Sequence, residues 1–167
     1  MLKHQYSIFL KKVYRNSERT FPGGQLNNMK KKQGSEHDWR NWRQKTIESL
    51  EKRDYGDPND APTGMIKRCL ELRLIPLDEF TVDDLRLMIG QAFVLPYLVP
   101  LALEHLRSDV FVEGLYPGDL LETVLKVDQN FWLENKPLWM EVFQLIDNKR
   151  AELKKHRINT TAFDAVK

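Results

Sequence analysis

The densest run of apolar positions lies between Thr81 and Leu106, and the polar residues that punctuate it mark where helices start and stop. Thr81 can N-cap a helix by accepting from the amide of Asp84, while Asp83 and Asp84 bring negative charge to the positive end of the dipole. Phe80 before the cap and Leu85 inside it form a hydrophobic staple pair. Leu85, Met88 and Ile89 share a face, and Gly90 is placed to close the helix in a left-handed C-cap. Pro96 and Pro100 then read as two successive helix starts, because proline suits a first turn and lacks the N–H needed deeper in. From Leu98 to Leu106 the pattern is apolar nearly all round, with no polar face until Glu104 and His105, so neighbours should bury this helix. It falls short of the roughly 20 apolar residues that span a bilayer.

Upstream, Trp39, Trp42, Thr46 and Leu50 recur at helical spacing and predict a helix over 36–53, with Ser35 or Asp38 as its cap. Its tryptophans are expected to anchor it to the core rather than to stack on bases. Residues 54–64, DYGDPNDAPTG, predict a loop. The spacing of Asp54, Asp57 and Asp60 does not fit a calcium-binding EF-hand. A helix from about Gly64 to Arg73 should bury Met65 or Ile66, Cys69 and Leu70, with Cys69 a small core residue rather than a nucleophile. Beyond the core helix, residues 109–118 predict a Gly/Pro-rich connection whose Phe111, Leu115 and Tyr116 turn inward. The next helix carries Leu120, Leu121, Val124 and Leu125, with Asp119 in its first turn. Asp128 then caps a short helix holding Phe131 and Trp132. Pro137 starts a last long one striped by Trp139, Val142, Phe143, Ile146 and Leu153, with Lys149, Arg150, Lys154 and Lys155 toward its C-terminal end.

No alternating strands and no internal repeat interrupt this order. The prediction is all-α, a single domain of about seven helices over 36–156, with residues 157–167 fraying. Residues 1–35 predict a weakly ordered basic leader. Ile8, Leu10 and Val13 suggest one short element, and the polar run through Lys30, Lys31 and Lys32 cannot bury much. With no aromatic residue among those lysines, a disordered leader is expected over a nucleic-acid-binding arm.

A balance of 41% hydrophobic and 30% charged residues is that of a soluble globular protein. One cysteine excludes an internal disulfide, and the N-terminus has no signal-peptide pattern, so a cytoplasmic location is expected. The net charge of +2 conceals a partition. Residues 1–53 hold 13 Lys/Arg against 5 Asp/Glu, residues 54–148 hold 7 against 17, and residues 149–167 hold 6 against 2. An acidic middle attracts basic partners and repels nucleic acid. His4, His37, His105 and His156 are scattered, and no metal, phosphate-loop, dinucleotide or nucleophile-elbow motif is present. By themselves these residues indicate a soluble acidic helical domain, with no cofactor and no metal expected and no constellation to support an enzyme, and they stop short of a function.

Several segments together carry a resemblance: KTIESLEKRDYGDP, RCLELR, PLDEFTVDDLRLMIGQ, LPYLVPLALEHL and EGLYPGDLLETVL, followed by Phe131-Trp132. In this order and spacing, over about residues 45–135, the chain resembles the immunity proteins of contact-dependent growth inhibition. The resemblance implies a small cytosolic protein that binds the toxic C-terminal domain of a neighbour's cell-surface effector, commonly a nuclease, and neutralises only its cognate toxin. The recurring pieces, Ile89-Gly90-Gln91, Leu95-Pro96 and Tyr116-Pro117-Gly118-Asp119, sit at scaffold positions and identify no binding residue. Charge supplies the candidates instead, since a nuclease needs a basic surface that an acidic inhibitor can cover. Asp54, Asp57, Asp60, Asp78, Glu79, Asp83, Glu113 and Asp119 lie at helix starts and loops and are the expected partner contacts. For Asp83 and Asp119, a place in a helix first turn accounts for the residue without any partner. The expected partner is a basic toxin domain, with no direct nucleic acid and no membrane. The alternative is an acidic helical adaptor with an unrelated protein partner.

Overall fold

Residues 41–166 are described by the structure, a computed structural model. Among them nine α-helices follow in order: α1 (Ile47–Glu51), α2 (Gly64–Leu72), α3 (Val82–Gly90), α4 (Leu95–Ser108), α5 (Asp119–Leu125), α6 (Gln129–Glu134), α7 (Lys136–Asp147), α8 (Arg150–Lys155) and α9 (Thr161–Asp164). Short 3-10 turns occupy Trp42–Gln44, Pro58–Asp60 and Leu77–Glu79. Strand pairing among the described residues is limited to isolated bridges, Thr46 with Pro76 and Glu113 with Pro117. The fold is all-α. The expected leader, the Ser35 or Asp38 cap and Trp39 lie outside the described residues, and no described helix is long and apolar enough to cross a membrane.

The central pair forms as its local signals dictate. Thr81 Oγ1 accepts from the Asp84 amide at 3.3 Å, and the Asp84 carboxylate accepts from the Thr81 amide at 3.1 Å, a reciprocal capping box. Phe80 and Leu85, the expected staple, are both buried. α4 buries Leu98, Val99, Leu101, Ala102, Leu103 and Leu106, and packs against α3, α5 and α7. α3 in turn packs on α5 and α2, so this pair forms the centre of the described residues.

Four expectations about the helices are corrected. Gly90 does not close α3; the left-handed residue is Ala92, at φ 59°. The amide of Phe93 donates to Met88 O at 3.0 Å and that of Ala92 to Ile89 O at 2.9 Å, a Schellman closure sealed by the buried pair Met88 and Phe93. Burial of Phe93 thus places the turn two residues beyond the glycine. Pro100 starts no second helix but lies inside a continuous α4, where burial on three sides outweighs one lost backbone bond. The helix expected over 36–53 breaks at Lys45–Thr46. There Lys45 O accepts from the Leu77 amide at 3.1 Å, and the Thr46 hydroxyl caps α1 by accepting from Ser49 N at 3.1 Å. Ile47 is its buried residue, while Trp42 is half-buried against Tyr97 at 5.5 Å between ring centroids. The last long helix divides at Asn148 and Lys149 into α7 and α8.

Residues 157–166, expected to fray, fold back onto the body. Ile158, Phe163 and Val166 are buried, and Trp139 Nε1 donates to Phe163 O at 3.1 Å. The guanidinium of Arg150 grips the Asp164 carboxylate with two bonds, of 2.7 and 2.9 Å.

Candidate partner-binding surface

The eight acids fall into three groups. Asp54, Asp57 and Asp60 are exposed on the loop between α1 and α2. Asp54 accepts from Gly56 N at 2.8 Å, and Asp57 caps the Pro58–Asp60 turn by accepting from Asn59 N at 2.7 Å. Tyr55 tethers this loop to the body. Its hydroxyl donates to Glu51, and its ring faces the Arg73 guanidinium at 3.9 Å. Arg73 is 0% exposed, with its Nη1 3.5 Å from the Glu48 carboxylate. Burial lowers the pKa of Arg73, and burial raises that of Glu51 against the hydrogen bond from Tyr55 and the nearby arginines.

Asp78 and Glu79 are exposed on the Leu77–Glu79 turn, which packs against the Trp42–Gln44 turn. There Arg43 makes a two-pronged pair with Glu104 of α4, and its hydrogen bonds hold the Glu104 carboxyl below the usual carboxylate range.

The third group is the one the structure draws together from distant parts of the chain. Asp83 is exposed at the start of α3; Arg86 Nε lies 3.4 Å from Asp83 Oδ1 and 3.3 Å from Asp119 Oδ2. Asp119 is not an exposed contact residue. It is 1% exposed, and its two oxygens accept from Gly114 N at 3.1 Å and Leu115 N at 2.7 Å, so it holds the turn that precedes α5. Glu113 is exposed on that turn and bridges to Pro117. Gly118 is required by its left-handed backbone, and Gly114 is closely packed on the Asp83 and Asp119 carboxylates. A Cβ on Gly114 would lie 2.8 Å from Asp83 Oδ1, and Gly118, at φ 84°, would bring one within 2.8 Å of Ile158 Cδ1.

Leu115 and Tyr116, expected to turn inward, are 65% and 50% exposed. Val110 is buried in their stead, and Phe111 is half-buried with its ring stacked on His156 at 4.4 Å. Their flanks held the signal: residues enclosed by Gly114 and Pro117-Gly118 sit at the crest of a turn, where side chains face solvent. The Tyr116 hydroxyl donates to Glu122 at 2.6 Å, and Lys126 reaches the same carboxylate at 2.6 Å. The bonds from Lys126 and Tyr116 hold Glu122 below the usual carboxylate range.

Two further groups are structural. Asp84 is buried and takes Arg68 Nη2 at 2.8 Å. Burial alone would raise its pKa, but the bonds from Thr81 and Arg68 outweigh burial and lower it. Cys69 is buried, and burial pushes its thiol up to about 11, which suits a core residue and not a nucleophile. Among the described residues no group of three or more His, Cys, Asp or Glu could hold a metal ion. An open cleft of about 330 Å³ beside α8 is lined by Arg150, Lys154 and Arg157, and is opposite in sign to the acidic groups. What the exposed acids offer is charge and hydrogen-bond acceptors for a partner.

A family model described as CDI immunity proteins matches residues 49–142, more than half of the chain. The match runs from α1 into α7 and includes all three acidic groups. No curated protein and no solved structure matches.

Proposed function

The chain belongs to the CDI immunity proteins, which neutralise toxins in contact-dependent growth inhibition, and we propose that it does so by covering a basic surface of its cognate toxin domain with an acidic one. In this reading the toxin is a nuclease whose phosphate-binding surface is occluded. The immunity protein acts in the cytoplasm without catalysis and touches neither nucleic acid nor membrane. The observation that carries the reading is the exposure of Asp54, Asp57, Asp60, Asp78, Glu79, Asp83 and Glu113, set in a segment with 17 acids against 7 bases. Such a surface mimics the charge of a nucleic acid and steers a basic partner onto it.

The test is the binding kinetics of the full chain with the purified toxin domain of the effector encoded beside its gene. Association should slow as salt rises, since the screening length falls from ~10 Å at 0.1 M to ~3 Å at 1 M. Reversing Asp54, Asp57 and Asp60 to lysine together should cut the on-rate and weaken protection while leaving the fold intact, with single reversals doing less. Binding indifferent to both salt and the triple reversal would overturn the acidic-surface mechanism. No binding and no protection would overturn the pairing with that toxin.

A further inference from the structure

We propose that the turn over residues 113–118 is the anchor of the toxin interface, with Tyr116 and Leu115 inserting into an apolar notch on the partner's basic surface. The inference rests on the toxin-binding reading and adds to it the side chains that dominate the contact.

Exposed leucines and tyrosines are common and mean little singly. What distinguishes these two is the frame that holds them out. The carboxylate of Asp119 is taken out of water to receive the Gly114 and Leu115 amides. The Gly118 amide reaches back to Phe111 O at 3.1 Å, and the Asp119 amide to Tyr116 O at 3.2 Å. Gly118 sits at φ 84°, where a side chain is strained, Gly114 packs directly on the Asp119 carboxylate, and Pro117 fixes its own φ. A buried charge is costly unless well bonded, so this is a large investment for a turn whose crest points at solvent. A crest fixed in advance loses little conformational freedom on binding, and a rigid aromatic at such a place is the usual form of a binding hot spot.

The surroundings specify the partner. From Asp109 to Glu122 the chain carries four acids, Asp109, Glu113, Asp119 and Glu122, and neither lysine nor arginine. Asp83 adds another acid beside the turn, and the nearby Arg86 is taken up between Asp83 and Asp119. Glu122 is paired with Lys126 and Asp119 is buried, so the charge offered to a partner beside the crest is that of the exposed Glu113, Asp83 and Asp109. An apolar crest with this negative flank fits a basic surface with an apolar recess. Met140, 48% exposed on α7, is the control, because it lies on a plain helix surface with no such frame.

The experiment compares wild type, Leu115→Ala, Tyr116→Ala, the double variant, Tyr116→Phe and Met140→Ala in binding to the same purified toxin domain. Circular dichroism and melting verify the fold of each. Each alanine at the crest should weaken binding at least about tenfold, and the double variant about a hundredfold. The loss should lie in the off-rate and persist at high salt, unlike the effect of reversing the loop acids. Tyr116→Phe and Met140→Ala should bind nearly as wild type. A benzophenone amino acid at position 115 should crosslink to the toxin domain, and one at 140 should not. If wild type binds and the double variant binds within about twofold of it, or position 115 fails to crosslink in a formed complex, the anchor is overturned while toxin binding stands. If wild type does not bind, the toxin-binding reading falls and the anchor falls with it.

Discussion

Glu51 shows how one carboxyl can reveal its surroundings. Burial raises its pKa, so the folded chain holds the Glu51 proton more tightly than the unfolded chain does. The sign follows directly: stability falls as pH climbs from the ordinary carboxylate range through the raised folded pKa, and levels off above it. Glu51→Gln removes that titration and keeps an oxygen for the Tyr55 hydroxyl. Urea unfolding at about pH 4 and about pH 7 should therefore show the variant gaining on wild type as pH rises. A gap moving in favour of wild type would show that Arg73 and Arg53, not burial, govern this carboxyl. Sequence reasoning reached such sites unevenly. Seven of the eight acids are exposed as expected, because loops and helix starts leave side chains in water. Asp119 escaped it because a first-turn aspartate looks the same whether it faces the dipole or folds back to amides four and five residues upstream. Leu115 and Tyr116 escaped it because apolar character by itself does not say which side of a turn a residue occupies.

At the scale of elements, α3 and α4 could be read because their causes are local: a cap, a staple, a proline and an apolar face lie within a few residues of one another. Leu101 is buried in α4, and Leu101→Ala should cost about 2–5 kcal/mol in urea unfolding, the range for emptying a packed leucine site. A change under about half a kcal/mol would mean that the site collapses or that α4 is not the centre of the core. The elements that were misjudged depend on partners far along the chain. The break before α1 needs Leu77 to bond Lys45, and the segment after α8 needs Trp139 and Arg150 to receive Phe163 and Asp164. Periodicity sees neither, since each half alone looks like an unremarkable polar or apolar position.

Across the whole molecule, charge and packing are divided between different stretches of chain. The acidic groups gather on the segment 54–148, while the basic segment after it closes over the body through Ile158, Phe163 and Val166. That closure meets two indoles at once: Phe163 lies edge-on to Trp132 at 5.3 Å and stacked on Trp139 at 5.6 Å. Undocking of this four-residue helix would strip one aromatic neighbour from each indole, leaving Phe131 on Trp132 and Phe143 on Trp139, and so change the emission of both. Far-ultraviolet dichroism instead weighs every helix alike. Even so anchored, a segment as short as α9 opens below the global unfolding free energy. In a denaturant titration the emission change should thus come at lower urea than the loss of helical signal, and Phe163→Ala should take most of the early change away. Coincident curves would mean that α9 and the body melt as one cooperative unit. Separate curves would make emission from these indoles a gauge of α9 docking, and only indirectly of the acidic surface proposed to meet the toxin.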